Sequence, residues 1–401
     1  MKRIDAVILA GGFGTRIKKF TKNKIPKPLL KINKKPFLDY LIQNISKYPI
    51  NKIYIICGHR GSLIKKKYHN KTINLIKINC IKEKISKGTG HALLSIKNII
   101  KNDFILINGD TLINFNLNIF FKKKINKKFL GYMILSKNYN GSLSKKLNNI
   151  DIKKNNTLKF TNKIKYINSG TIFLKKKILK FVNKKTISFE NDILHKIITK
   201  QKMKGIIYKD FLIDIGNPTN YIKSQKLIPK IFYKPAIFLD RDGVINYDRD
   251  GYTYKFENFK FKPNIIKTLK YLSFKKNYIF IVTNQAGIAK GHFSEEQFLK
   301  LHKKIKIYLV NKNIFINEIK YCPFHKKAKI IKYKKNSLLR KPGNLMIKQL
   351  LKNWPIDKKY SFMIGDQKSD KLAAEISNLY FEYPKKDFFN QILKIKKKLS
   401  H

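Results

Sequence analysis

The sequence predicts an α/β protein of two domains, residues 1–228 and 235–396, and three observations carry that expectation. Short β-branched and aromatic runs alternate with longer, lysine-studded helical patterns, which is how parallel strands joined by crossover helices read. Several runs end on Gly or Asp, and in open α/β sheets ligands sit at the carboxyl ends of strands. A chain of 401 residues exceeds what one core usually serves, and a new strand run begins at Ala236 after the Pro-containing stretch 226–235, which shows no periodicity.

In chain order, DAVILA (5–10), KIYIIC (52–57), FILING (104–109), GYMILS (131–136) and FLIDIG (211–216) read as strands of the first domain. AIFLD (236–240), NYIFIVTN (277–284) and SFMIG (361–365) read as strands of the second. There is no internal repeat, and the lysine-rich tail after Tyr383 reads as a solvated final helix.

A hydrophobic content of 43% with 12% aromatics is too apolar for a disordered chain, and no run approaches the ~20 apolar residues of a membrane span. Three widely spaced cysteines (Cys57, Cys80, Cys322) cannot build a disulfide framework, and the start MKRIDAVILAGG lacks a long signal-like apolar region. The expected location is cytoplasmic. The formal charge of +64 suggests nucleic acid, yet only six of the 88 basic residues are arginine. Lysines spread through every segment alongside Ile, Asn, Phe and Tyr, a set with AT-rich codons, whereas phosphate readers cluster Arg forks. We therefore expect small-molecule substrates, no specific nucleic acid and no membrane, with the oligomeric state open. Three of the arginines (Arg16, Arg241, Arg340) fall inside motifs.

After the first strand comes Gly11-Gly12-Phe13-Gly14-Thr15-Arg16, followed by Ile25-Pro26-Lys27-Pro28. Neither GxxxxGK[ST] nor GxGxxG fits. Glycines here let backbone N–H groups approach a triphosphate, with Arg16 and Lys27 supplying charge to its oxygens. The combined string resembles the sugar-phosphate nucleotidyltransferase family, which joins a nucleoside triphosphate to a sugar 1-phosphate and releases pyrophosphate. The resemblance spans residues 2–226 and extends through Gly88-Thr89-Gly90, Asn108-Gly109-Asp110, Asn168-Ser169-Gly170 and Ile213-Asp214-Ile215-Gly216. It implies a Rossmann-like mixed sheet, a nucleotide site at Gly11, Gly12, Gly14, Thr15, Arg16, Lys27, Gly88 and Thr89, and Mg²⁺ held by Asp110 and Asp214. Alone, Asp110 would pass for a turn residue and Asp214 for a helix N-cap. Asn168 and Lys163 are the expected sugar-phosphate contacts, although Asn162-Lys163-Ile164 stands where relatives commonly have Glu-Lys-Pro. The ending IDIGNPTNY with Ser188–Asp192 is most similar to the branch acting on D-glycero-D-manno-heptose 1-phosphate with GTP. Nothing in the residue chemistry alone selects guanine.

Strand AIFL runs into Asp240-Arg241-Asp242-Gly243. Carboxylates at i and i+2 suit a phosphoryl transfer in which one attacks phosphorus and the other handles the leaving-group proton. Val282-Thr283-Asn284-Gln285, Arg340-Lys341-Pro342, Gly365-Asp366 and Asp370 follow in order. This set resembles the haloacid dehalogenase superfamily, which implies a second Rossmann-like domain. By that resemblance Asp240 is the nucleophile, Asp242 the general acid/base, Thr283 a phosphate donor and Lys341 the charge partner. Asp240, Asp242 and Asp366 would gather Mg²⁺ with Asp370 in support, and Asn284 and Arg340 would bind the sugar phosphate. FLDRDGVIN, VTNQAGIAKGHFSEEQF and YCPFH…RKPGNLM resemble heptose 1,7-bisphosphate 7-phosphatases over residues 235–385, and histidinol-phosphate phosphatases share much of the pattern. Relatives often carry zinc at positions that here are Cys322, Phe324, Ser337 and Leu339, so zinc is expected to be absent. Cys322 and His325 are the two candidate ligands left, and a packed loop is the expected alternative.

The two halves imply a bifunctional enzyme in which the phosphatase product is the nucleotidyltransferase substrate. Two alternatives stay open: the same reactions on a hexose 1-phosphate with UTP, dTTP or CTP, and a nucleic-acid-binding protein on a decayed enzyme fold.

Overall fold

The computed structural model describes residues 3–83, 87–122, 126, 128–137, 150–162, 165–248 and 252–400. It falls into two compact units, Met1–Ser46 with Ile50–Ile228, and Lys47–Pro49 with Pro229–His401. Among the described residues no helix is long and apolar enough to cross a membrane.

The first unit is built on a mixed sheet. Its main strands are β1 (Ile4–Leu9), β2 (Ile53–Cys57), β3 (Ile76–Lys82), β4 (Asp103–Asn108), β5 (Gly131–Ser136), β6 (Ile167–Leu174) and β7 (Met203–Tyr208). They lie in the order β7-β5-β6-β4-β1-β2-β3, with the short strand Thr72–Ile73 at the edge. β1 is parallel to both β2 and β4, whereas β6 runs antiparallel to β4 and β5. Ile4, Ala6, Val7 and Ile8 are fully buried, as a central strand covered on both faces requires. Beside β4 and β6, the core packs Phe104, Leu106, Ile172 and Leu174 with Phe189 and Ile193.

Two sequence expectations change here. FLIDIG does not join the large sheet: Leu212–Asp214 pairs antiparallel with Thr111–Ile113 in a ribbon of its own. The stretch expected to lack periodicity is partly helical, because the helix Pro218–Phe232 runs through it with Pro229 inside.

The second unit holds a five-stranded parallel sheet: β8 (Ala236–Leu239), β9 (Tyr278–Asn284), β10 (Glu318–Cys322), β11 (Phe362–Ile364) and β12 (Tyr380–Glu382), in the order β10-β9-β8-β11-β12. Strand β8 is central and wholly buried, so its carboxyl end opens into the middle of the sheet edge. Helix Glu295–Asn311 starts with a capping box between Ser294 and Gln297, each bonding the other's backbone N–H.

Candidate active sites

In the first unit, a cavity of about 440 Å³ opens where β1 ends, lined by Gly11, Gly12, Lys27, Glu83, Lys87, Gly88, Thr89, Asn108 and Asp110, with Leu9, Ala10, Phe13, Pro28, Ala92 and Gly109. Gly11 is required by close approach: a Cβ there would stand 2.2 Å from Glu83 Oε1. Lys27 forms an ion pair with Asp110. Burial pushes the Asp110 carboxyl up, but the Lys27 ammonium and the Thr111 hydroxyl more than offset this and hold it below the usual range. The ribbon that FLIDIG forms places Asp214 opposite Thr111 and ties Ile215 N to Asp110 O at 2.9 Å. Asp214 is pushed up to about 6 by burial and by the Asp110 charge. Two acids sharing one site beside a lysine are a donor set that suits a hard cation such as Mg²⁺.

Other expected residues take different places. Arg16 is exposed on the turn Thr15–Ile17, where its charge draws Asp214 down. Gly14, Thr15 and Arg16 stand outside the cavity lining. Thr89 lines the cavity, yet its hydroxyl donates to Glu190 Oε2 at 2.6 Å and accepts from Phe189 N–H at 3.0 Å, so it ties the wall together. Asn168 Oδ1 accepts from Gly170 N–H at 2.9 Å, and the residue stands outside the lining of this cavity. Lys163 lies outside the described residues.

Glu83 and Glu190 are the residues that motif reading passed over as site residues. A signal for Glu83 existed, since it is the single acid between Asp39 and Asp103 in a lysine-rich chain.

In the second unit, Asp240 follows β8, Thr283 and Asn284 end β9, and Asp366 follows β11, so three neighbouring strands deliver the set to one edge. Lys341 Nζ lies 2.8 Å from Asp240 Oδ1. Burial pushes Asp240 up to about 7; Lys341 opposes this, while Asp370 and Asp242 add to it. Carboxylate oxygens of Asp240, Asp366 and Asp370 lie within 4.8 Å of one another. Asp366 Oδ1 is buried without a hydrogen-bond partner among the described residues. Gly243 (φ 77°) permits this gathering, because a Cβ there would stand 2.3 Å from Asp366 Oδ2. Three acids with an orphaned oxygen fit Mg²⁺.

One expectation is corrected. The Asp242 carboxylate is not part of the acidic group, because Arg241 takes it in a two-pronged pair at 2.9 and 2.7 Å; Asp370 stands in the group instead. Burial pushes Asp242 up, and Arg241, Asn246 and Gln285 bring it below the usual range. The Asn284 amide exchanges bonds with the Lys341 backbone at 3.0 and 3.1 Å. Thr283 Oγ1 accepts from Gln285 Nε2 at 2.9 Å. Arg340 is half-buried, with Nη1 enclosed and without a hydrogen-bond partner among the described residues, which suits a phosphate. The zinc positions do not fit the metal: of Cys322, Phe324, Ser337 and Leu339 only Cys322 is a strong ligand, and its thiol donates to Phe324 O at 3.8 Å. His325 Nδ1 accepts from Lys327 N–H. Phe324 and Tyr333 instead pack with Ile288, Phe293 and Phe298.

Two α/β units, each collecting acids and lysines at strand ends, define an enzyme with two phosphoryl-handling centres. Residues 5–230 match the Nucleotidyl transferase family, and the chain belongs to it. Residues 237–393 match the family described as Polynucleotide kinase 3 phosphatase. This second part is 40% identical over 146 residues to the D-glycero-beta-D-manno-heptose-1,7-bisphosphate 7-phosphatase of Rhodopseudomonas palustris, covering 36% of this chain and 81% of that protein. It is 42% identical over 139 residues to the enzyme of the same name from Haemophilus influenzae, covering 35% and 74%. The chain thus also belongs to the phosphatase family of these relatives, and it is both a nucleotidyltransferase and a phosphatase. Among solved structures it is similar to HddC from Yersinia pseudotuberculosis, at 28% identity over 57% of this chain and 100% of that one, with a TM-score of 0.46.

Proposed function

We propose that this chain is a bifunctional cytoplasmic enzyme making a GDP-activated heptose for a surface polysaccharide or lipopolysaccharide. The second unit removes the 7-phosphate of D-glycero-D-manno-heptose 1,7-bisphosphate, and the first transfers GMP from GTP to the heptose 1-phosphate, releasing pyrophosphate. The observation that carries this reading is the joining of a nucleotidyl transferase to a phosphatase whose relatives are named for heptose bisphosphate. A 7-phosphatase leaves a sugar 1-phosphate, which is what such a transferase consumes.

In the second unit the Asp240 carboxylate attacks phosphorus, the sugar oxygen departs, and water then hydrolyses the aspartyl-phosphate, with Asp242 as the general acid/base that the resemblance implies. Lys341, Arg340 and Thr283 face the phosphate charge. In the first, a sugar phosphate oxygen attacks the α-phosphorus while Lys27 and Arg16 offset charge. Asp110 with Asp214, and Asp240 with Asp366 and Asp370, would hold Mg²⁺, which neutralises phosphate charge when bound.

Guanine is supported by Glu83 in the cavity wall. A carboxylate only accepts hydrogen bonds, and guanine alone offers two adjacent donors, N1–H and N2–H₂, on one edge. Uracil and thymine offer one donor between two acceptors. The charges of both centres are in place, which favours an enzyme over a binding protein on a decayed fold. The test is one incubation with Mg²⁺, the four ribonucleoside triphosphates plus dTTP, and both anomers of heptose 1,7-bisphosphate, read by mass spectrometry. A GDP-heptose mass is expected; a UDP-, dTDP- or CDP-sugar would move the base, and no turnover would overturn the substrate.

A further inference from the structure

We infer that Glu190 is a positioning residue of the first unit's cavity, acting through Thr89 on the wall that receives the nucleotide. The inference rests on the reading of that cavity as the nucleoside triphosphate site.

Lys87, Gly88 and Thr89 line the cavity, whereas Glu190 stands outside that lining. The two segments meet across 101 positions of sequence, where Thr89 Oγ1 donates to Glu190 Oε2 at 2.6 Å. A hydroxyl on a carboxylate at that length is a short, charge-assisted bond. It commits the single Thr89 hydroxyl proton, and Phe189 N–H gives the same oxygen a bond at 3.0 Å. The hydroxyl therefore has no proton left for a ligand, and what it supplies is the place of the wall. The backbones meet as well: Gly90 N–H donates to Ile187 O at 2.9 Å, and a Cβ on Gly88 (φ 129°) would stand 2.5 Å from that oxygen.

Glu190 is held in turn. Ser188 Oγ donates to the same Oε2 at 3.2 Å and accepts from Asn191 N–H at 3.2 Å. Asp192 Oδ2 accepts the N–H groups of Ile187 and Ser188 at 2.7 and 2.9 Å, which fixes the entry to the helical turn Phe189–Leu194. Phe189 is fully buried and packs in the core with Ile193, so the segment carrying Glu190 is anchored from below. Through this carboxylate the cavity wall is tied to the core. The ion pair of Lys27 with Asp110 comes from other segments and does not use the tie.

The test is calorimetric titration of the full chain, in Mg²⁺ and without sugar phosphate, by the β,γ-imido analogues of GTP, UTP and CTP. The analogue that the unaltered chain binds most tightly is carried to the variants. Glu190→Ala is expected to weaken it about tenfold, the scale of one hydrogen bond to a charged group. Glu190→Gln keeps an acceptor oxygen for Thr89 and should stay within about twofold. Thr89→Val should lose at least as much as Glu190→Ala, and the double variant no more than Thr89→Val alone, because the pair acts as one unit. Glu190→Asp, whose shorter arm draws the oxygen back from Thr89, carries the comparison if circular dichroism shows the alanine variant unfolded. A lowered melting temperature with unchanged affinity would overturn the inference and leave Glu190 a structural residue. Additive losses in the double variant would overturn it too, since Glu190 would then act independently of Thr89. No binding of any analogue to the unaltered chain would overturn the nucleotide reading of the cavity, and the inference with it.

Discussion

Lys341 stands between two buried acids, its Nζ 2.8 Å from Asp240 Oδ1 and 2.5 Å from Asp370 Oδ1. Its remaining proton goes to Val282 O at 2.9 Å, so all three donors are used within the unit. Backbone bonds from Asn284 hold the lysine in this place. Lys341→Met would leave two enclosed carboxylates without their counter-ion. We expect a loss of about 3–5 kcal/mol of stability and phosphate release at background, read from urea unfolding and a phosphate assay. A full-stability variant would show that the acids do not depend on the bridge.

The two centres lie in separate compact units, each with its own acids. Asp240→Asn removes the proposed nucleophile and should abolish phosphate release while leaving pyrophosphate release intact. Asp110→Asn should do the reverse, because it removes the proposed cation ligand and the partner of Lys27. Parallel assays of the two products check this. Loss of both activities in either folded variant would contradict two independent sites.

Proton and metal compete at the first centre. Asp214 is pushed up to about 6, first by burial and then by Asp110, while Asp110 lies below the usual carboxylate range. Below pH 6 a cation must therefore displace one proton from Asp214, and above pH 7 it need not. The half-saturating Mg²⁺ concentration should rise about tenfold per pH unit as pH falls below 6, and level off above 7. Calorimetric titration of Mg²⁺ into an Asp240→Asn variant without nucleotide, at pH 5 to 8, measures it. A flat profile would remove Asp214 from the metal site.

Apolar runs made the central strands legible, because a strand covered on both faces needs no polar alternation. Five strands were not legible that way. β3 alternates buried Ile76, Ile78 and Cys80 with the more exposed Lys77, Asn79 and Ile81, and β6 carries Asn168-Ser169-Gly170 inside it. β7 is broken up by Lys204 and Gly205, and β10 by Glu318 and Lys320. Only three residues form β12. The resemblance implied Lys341 as the charge partner of Asp240, and the two do meet, whereas the ion pair of Lys27 with Asp110 was not foreseen. What spacing could not show is which neighbour takes a side chain first. Arg241 captures Asp242, Asn284 turns to the Lys341 backbone, and Thr89 turns to Glu190. Those outcomes depend on burial and on donors brought in from other strands.

The loop after β10 is held by side-chain contacts at the positions where the resemblance pointed to a zinc site. Glu295, at the first turn of helix Glu295–Asn311, accepts the Tyr321 hydroxyl on Oε1 at 2.5 Å and the Tyr333 hydroxyl on Oε2 at 2.9 Å. Tyr333 packs with Phe324, and Tyr321 with Phe298, so one carboxylate links the helix, the strand and the loop. Zinc analysis of the purified protein should find no stoichiometric metal, and a zinc chelator should leave the melting temperature unchanged. Glu295→Leu strands two phenols at about 1–1.5 kcal/mol each, a shift of roughly 4–12 °C for a unit of this size. Glu295→Gln, which keeps one acceptor, should fall between. A chelator-sensitive melt, or an unmoved melt in Glu295→Leu, would mean that something other than this carboxylate holds the loop.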